Sequence, residues 1–253
     1  MDLGLRGKRA IITGATKGIG RKILEQFVAE GCTVAICSRS IEDVEATIEN
    51  CSTRKTEVIG DVCDISDKEE YVAWVDKMVE QMEGVDIFIP NVSAGGGMDS
   101  ERNWWKNFET DVLGTVRGCE AVLPHMQEAQ SGAITMIGTT ASLETFGVPQ
   151  SFNAMKASMV TYAKQLSQFV GHDNIRVNVV SPGPIEFPGG SWQMLQDTMP
   201  KWYQKVLRDH PTQRLGTPEE VARCVAFLSS PAASWVNGTN LIVDGGFTKR
   251  VQF

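Results

Sequence analysis

The chain has 253 residues, 42% of them hydrophobic and 22% charged, an ordinary balance for one large soluble α/β unit. Its formal charge of −7 argues against a nucleic-acid or anionic-membrane partner. No apolar run approaches membrane-span length, and residues 1–9 lack the apolar core of a signal peptide, so the expected location is cytoplasmic. Cys32, Cys37, Cys51, Cys63, Cys119 and Cys224 form no C-x-x-C pair and read as buried free thiols of a reducing compartment. His125, His172 and His210 are too dispersed to announce a zinc site, and no metal is expected.

Strand-like apolar runs fall at 9–13, 33–38, 56–61, 85–90, 133–138, 175–181 and 240–243. Helical patterns separate them at 18–30, 41–51, 68–82, 101–126, 150–170 and 218–229. That alternation predicts βαβ units, hence a single doubly wound domain with a mainly parallel seven-stranded sheet. At the first strand–helix junction stand Gly14, Thr16, Lys17, Gly18, Ile19 and Gly20, a glycine turn opening a helix. Such a turn lets backbone approach a dinucleotide's diphosphate, and the helix N-terminus supplies free N–H groups. After the second strand an acidic residue would hold the ribose hydroxyls of NAD, but Ser38 and Arg39 stand there, with no carboxylate before Glu42. Arg39 can pair with a 2′-phosphate and Lys17 adds a second cation, so the expected cofactor is NADP(H). The longest irregular stretch, 182–217, carries Trp192, Met194, Met199, Trp202 and Tyr203 between glycines and reads as a substrate lid at about 183–214. A partner-contact loop is the alternative.

The spacing Thr13-Gly14-x-x-x-Gly18-x-Gly20, with Asn178 to Pro182-Gly183 and Asn237-Gly238-Thr239 before Val243-Asp244-Gly245-Gly246, resembles the short-chain dehydrogenase/reductase family over nearly the whole chain. The resemblance implies a Rossmann-type fold and assigns further roles. Asp61 and Val62 would face the adenine, Pro182, Gly183 and the Ile185 backbone the nicotinamide, and Lys156 the ribose. Asn91, which the resemblance implies at the cofactor, is kept from the family's fourth-strand N-N-A-G, which here reads Pro90-Asn91-Val92-Ser93. The threonine usual two places after Ile185 is Phe187. Family members associate as dimers or tetramers through the helices at 101–126 and 150–170, so a homo-oligomer is expected.

The positions that the family uses for catalysis differ. Its Asn is Asp111, its Ser is Thr139, and its Y-x-x-x-K reads Phe152-Asn153-Ala154-Met155-Lys156. Ketone reduction leaves an alkoxide that needs a proton in place; phenylalanine has none, and losing a positioned acid costs roughly two to four orders of magnitude in rate. Tyr162 lies beyond Lys156 on the same helix and has no evident reach to the site.

Three readings follow. Hydride addition to a conjugated C=C gives an enolate, which Thr139 can hold while water protonates carbon. The peroxisomal 2,4-dienoyl-CoA reductases are similar in pairing an Asp with the Lys and lacking the standard Tyr, although residues 250–253 lack a peroxisomal signal and the charge does not favour coenzyme A phosphates. Carbonyl reduction through a water relayed by Asp111, Thr139 and Lys156 is the second reading. A catalytically impaired redox sensor or partner subunit is the third. For Asp111 a surface or helix-contact role is the plain alternative. Trp104 and Trp105 read as packing residues, His125 and His210 as solvated or capping, and 95–97 as a glycine rim of the site.

Overall fold

The computed structural model describes residues 2–54, 56–96, 100–145 and 147–251. Seven strands alternate with helices as expected: β1 (Arg9–Thr13), α1 (Gly18–Ala29), β2 (Thr33–Ser38), α2 (Ile41–Cys51), β3 (Val58–Val62), α3 (Lys68–Gln81) and β4 (Ile87–Ile89). The second half continues with α4 (Glu101–Asn107), α5 (Gly114–Glu128), β5 (Gly132–Ile137), α6 (Ser151–Phe169) and β6 (Ile175–Pro182). Two short helices, α7 (Ser191–Thr198) and α8 (Pro200–Asp209), precede α9 (Pro218–Ser229) and β7 (Asn240–Val243).

The strands form one sheet in the order β3-β2-β1-β4-β5-β6-β7. Every neighbouring pair is parallel. Such a sheet must be covered on both faces, and its strands are apolar throughout for that reason. Side chains alternate across it, so Ile11 joins the core with Tyr71, Phe88 and Val122, while Ile12 joins Phe27, Ile36 and Val225 on the other face. Burying each such large apolar side chain stabilises the fold by about 1.5–3 kcal/mol. The strand order reverses between β1 and β4, and open α/β sheets take ligands at the carboxyl ends of strands beside such a switch.

Three expectations need adjustment. The segment at 101–126 is helical throughout, as expected, but a π-helical turn over Phe108–Leu113 widens it between α4 and α5. Hydrophobic periodicity cannot register one widened turn, since the apolar stripe resumes after it. Second, the stretch at 182–217 is not irregular, because it holds α7 and α8. Pro200 begins α8, where a missing N–H costs nothing. Tyr203, Val206 and Leu215 give this segment a small core of its own, with Trp192 and Trp202 stacked at 5.5 Å. Third, the strands expected at 56–61 and 85–90 shorten. Thr56 is tied into a turn with Thr53, and the Asp86 carboxylate is engaged by Lys8 and Arg9. Of the glycine rim, Gly97 lies outside the described residues; Gly95 accepts a hydrogen bond from Asn107.

Candidate active site

Helix α1 differs from its neighbours at the end that matters. Ser40 caps α2, Asp67 caps α3 and Thr217 forms a capping box with Glu220 on α9, each with carboxylates in the first turn. Lys17 at the head of α1 makes no side-chain cap, and the first turn carries no acid. The partial positive charge of a helix N-terminus is thus uncompensated here. Gly18 sits at φ +56°, which a Cβ would strain. A Cβ on Gly20 would strike the Gly14 carbonyl and the Asn91 amide, so the turn closes only with glycine. Asn91 braces it from β4: its Nδ2 donates to Thr13 O (3.2 Å) and Gly14 O (2.9 Å), and its N–H to Thr13 Oγ1 (3.1 Å). The side chain therefore serves the shape of the turn. Thr16 and Ile19 flank it half-buried, and Lys17 is exposed.

Beside the turn, Ser38 ends β2 and Arg39 is exposed. It acts electrostatically on Asp64, whose carboxyl is lowered mainly by the Ser66 N–H and in part by Arg39. Asp61 is already paired with Lys77 at 2.5 Å, the chief reason its carboxyl lies below the usual range, and its Oδ1 accepts the Val62 N–H.

The π-turn delivers Asp111 to the centre of the site, and widened turns of this kind recur at functional positions. Asp111 is fully buried, so the surface alternative does not hold. Its Oδ2 accepts from Ala94 N–H (3.2 Å) and Asn107 Nδ2 (2.9 Å). Its Oδ1 faces Lys156 Nζ at 3.2 Å and has no aligned hydrogen bond among the described residues. Thr115 Oγ1 donates to the Asp111 carbonyl at 2.8 Å, and Gly114 leaves room for Ile65, so the widened turn is satisfied locally. Lys156, only 4% exposed, also donates to Ile137 O at 2.9 Å, which ties α6 to the end of β5. Asn107 is oriented in turn by Ser151 Oγ, which donates to its Oδ1 at 2.7 Å. Asn107, Ser151 and Ala94 were not among the sequence candidates; the i−4 spacing of Asn107 from Asp111 was the available signal.

Thr139 follows β5 half-buried, and its Oγ1 accepts the Ala141 N–H at 3.2 Å. An accepting hydroxyl keeps its own proton for another acceptor. Phe152 is half-buried in the first turn of α6, four residues before Lys156 and so on the same helix face. The chain has three tyrosines, each held elsewhere. Tyr71 is buried in the core beside Trp74. Tyr162 bonds to Cys119, and burial pushes its hydroxyl well up. Tyr203 donates to Glu186 Oε1 at 2.8 Å, and burial with that carboxylate pushes it up to about 12.

Past β6, Gly183 N–H bonds to Val243 O, and Gly183 packs against Asp244 where a Cβ would clash. Ile185 pairs with Gly216 as a short parallel bridge. That bridge uses the Pro184 carbonyl and the Glu186 N–H (2.9 Å each), so Ile185's own N–H and carbonyl point away from Gly216. Phe187 lays its ring on Gly18. Of the histidines, His125 meets Asp76 at 3.0 Å as a surface residue. Of the two roles expected for His210, the solvated one is incorrect, since the ring is 3% exposed and stacks on Phe247, while the capping one holds: His210 stands at the C-cap of α8, its Nδ1 accepts the Thr212 N–H at 3.4 Å, and it bonds Thr212 Oγ1 at 2.8 Å. Among the described residues no cluster of His, Cys, Asp or Glu suits a metal ion, and no helix is long and apolar enough to cross a membrane. A cavity of about 540 Å³ opens at the opposite, amino ends of the strands, lined by Lys8, Asp86, Arg176 and Trp235 among others. None of the residues above lines it, so its volume does not mark this site.

Residues 14–248 match a family profile described as enoyl-(acyl carrier protein) reductase. The chain is similar to isoepoxydon dehydrogenase of Penicillium expansum, 32% identical over 100% of this chain and 99% of the relative. It is equally 32% identical to 3-oxoacyl-[acyl-carrier-protein] reductase of Chlamydia pneumoniae, over 98% of this chain and 100% of that protein. In three dimensions it resembles L-sorbose reductase from Gluconobacter frateurii, solved with NADPH and L-sorbose, at a TM-score of 0.91 and 28% identity over 99% of this chain and 100% of that one. With one parallel seven-stranded sheet and a glycine turn at its switch point, the chain belongs to the short-chain dehydrogenase/reductase family of oxidoreductases.

Proposed function

We propose that this protein is an NADP(H)-dependent reductase of a small α,β-unsaturated carbonyl compound, working without a tyrosine acid. The observation that carries the reading is the buried Lys156–Asp111 pair with Phe152 one turn before it and all three tyrosines held elsewhere. The glycine turn and uncapped α1 suit a diphosphate, and Arg39 with Lys17 suit a 2′-phosphate. The NADPH-bound sorbose reductase supports the same cofactor. The outward N–H and carbonyl of Ile185 suit the nicotinamide carboxamide, and the Lys156 ammonium its ribose. Hydride transfer is the chemistry the bound nicotinamide supplies.

Thr139 has a hydroxyl proton to give to a substrate oxygen, so charge that collects there is met by a placed donor. An enolate needs no more than that, since its carbon can take a proton from water. An alkoxide needs an acid, and Phe152 offers none. The family profile's description as an enoyl reductase agrees with this preference. Carbonyl reduction through a water relayed by Asp111 and Lys156 is the second reading, favoured by the likeness to a ketose reductase. The segment 183–214 closes over the substrate as a lid with the Trp192–Trp202 stack as its wall. Trp105 and Phe169, exposed on α4 and α6, support self-association through those helices. Six free cysteines, five of them buried, suit a reducing cytoplasm.

NADPH consumption against matched enones and saturated ketones tests the reading, with Thr139→Ala as the control. Turnover of the enone, lost in the variant, is expected. Turnover of the ketone at an equal rate would favour the relay, and tight NADPH binding with no turnover of either would point to a sensor.

A further inference from the structure

We propose that Phe187 is a latch over the diphosphate seat, which sets how fast the dinucleotide enters and leaves. The inference rests on the cofactor reading above. Two ring atoms, Cε2 and Cζ, stand where a Cβ on Gly18 would be only 2.8 Å away, so the ring lies flush on the first residue of α1. A diphosphate approaching the N–H groups of this turn meets the ring. It must move aside for entry, and once back it shields the phosphates from water.

The chain around Phe187 is built for such a movement. On one side the stem is fixed: Pro184 to Glu186 are hydrogen-bonded to Gly216, and Tyr203 of α8 holds the Glu186 carboxylate. On the other side come Gly189, at φ +74°, and Gly190, whose N–H bonds back to the Phe187 carbonyl at 3.0 Å. Gly190 has so little room that a Cβ there would lie 3.0 Å from Phe187 Cζ. The bond and the close packing tie Phe187 to Gly190 and the start of α7, so the ring moves with that helix end while the Gly216-bonded stem before it stays in place. The ring is only half-buried, so lifting it is affordable on the time scale of ligand exchange. A threonine at this position would offer a hydroxyl to phosphate; phenylalanine instead offers a cover.

The test is stopped-flow NADPH fluorescence on the whole protein as wild type, Phe187→Ala and Phe187→Leu. Removing a half-buried ring should raise the NADPH dissociation rate about tenfold, with leucine in between. The association rate should also rise in the alanine variant, because no ring has to be displaced. Hydrogen exchange without nucleotide supplies a second readout: the amides of residues 18–20 should lose protection in Phe187→Ala while those of β1 and β4 keep theirs. Unchanged rates and protection in a folded Phe187→Ala would overturn the latch. Failure of the wild type to bind NADPH would overturn the cofactor reading and the latch together. Normal NADPH binding with unchanged kinetics in both variants would overturn the latch alone.

Discussion

Lys156 and Asp111 are coupled strongly enough that removing both should harm the fold less than the two single changes together. In Lys156→Met the Asp111 carboxylate loses its counter-ion in a site that is 0% exposed. Breaking a buried pair by deleting one partner costs about 3–5 kcal/mol, because a charge is left without compensation. For Asp111→Asn the stranded group is the ammonium, which keeps Ile137 O at 2.9 Å, so the cost falls at the lower end of that range. The double variant strands neither charge, while its Asn amide can still meet Asn107 and the Ala94 N–H. The coupling between the sites should therefore be about 2–3 kcal/mol. Urea unfolding of the four proteins measures it, with an equal m-value as the sign that the states are comparable. In a chain of this size each kcal/mol moves the melting temperature by roughly 2–4 °C, so Lys156→Met should melt on the order of 10 °C early. Additive single effects would refute the reasoning, since they would mean that the ammonium and the carboxylate act independently.

Other outcomes follow from separate parts of the molecule. Arg39→Asp should weaken NADPH binding by about ten- to hundredfold, the worth of a charge-assisted contact, and narrow the preference over NADH, as read by fluorescence titration. Gly20→Ala should cost about 1–3 kcal/mol or more and abolish nucleotide binding, since its Cβ displaces the Gly14 carbonyl and Asn91, which thermal melts and titration read together. His210 is lowered from its usual pKa, chiefly by burial, with Arg214 adding to the shift and Asp244 opposing it. The unfolded chain therefore takes up the proton first, and the stability His210 contributes is lost as pH falls below about 6.5 towards its lower folded value. His210→Gln should flatten that part of the stability profile in urea titrations from neutral to mildly acid pH.

Much of this architecture was legible because parallel strands carry their burial in plain view. Runs such as Ala10-Ile11-Ile12 are apolar on both faces, and the glycine spacing at 14–20 has few other uses. The cation at Arg39 and the lysine at 156 were readable for the same reason, as charged groups at strand or helix positions fixed by the motif. What escaped was local and three-dimensional. A π-turn adds one residue without disturbing the apolar stripe, so the sequence did not show that Asp111 turns inward to Lys156. The small core of the α7–α8 segment joins Tyr203 to Leu215 across twelve residues, a contact no short-range period announces. The Asn91 amide braces the Thr13 and Gly14 carbonyls, a use that depends on β4 lying beside β1 and that no spacing announces.

The central claim, hydride transfer at a site where phenylalanine replaces the proton donor, is tested most directly by Phe152→Tyr. Phe152 is half-buried on the Lys156 face of α6, so this substitution returns a phenol to the ammonium's side of the helix. NADPH consumption by the wild type and the variant should be followed side by side on a matched enone and saturated ketone. The account predicts that the wild type turns over the enone and that the variant gains roughly 10²–10⁴-fold on the ketone, the worth of a placed acid. A folded, NADPH-binding variant with no gain on ketones, or a wild type already as fast on them, would contradict it.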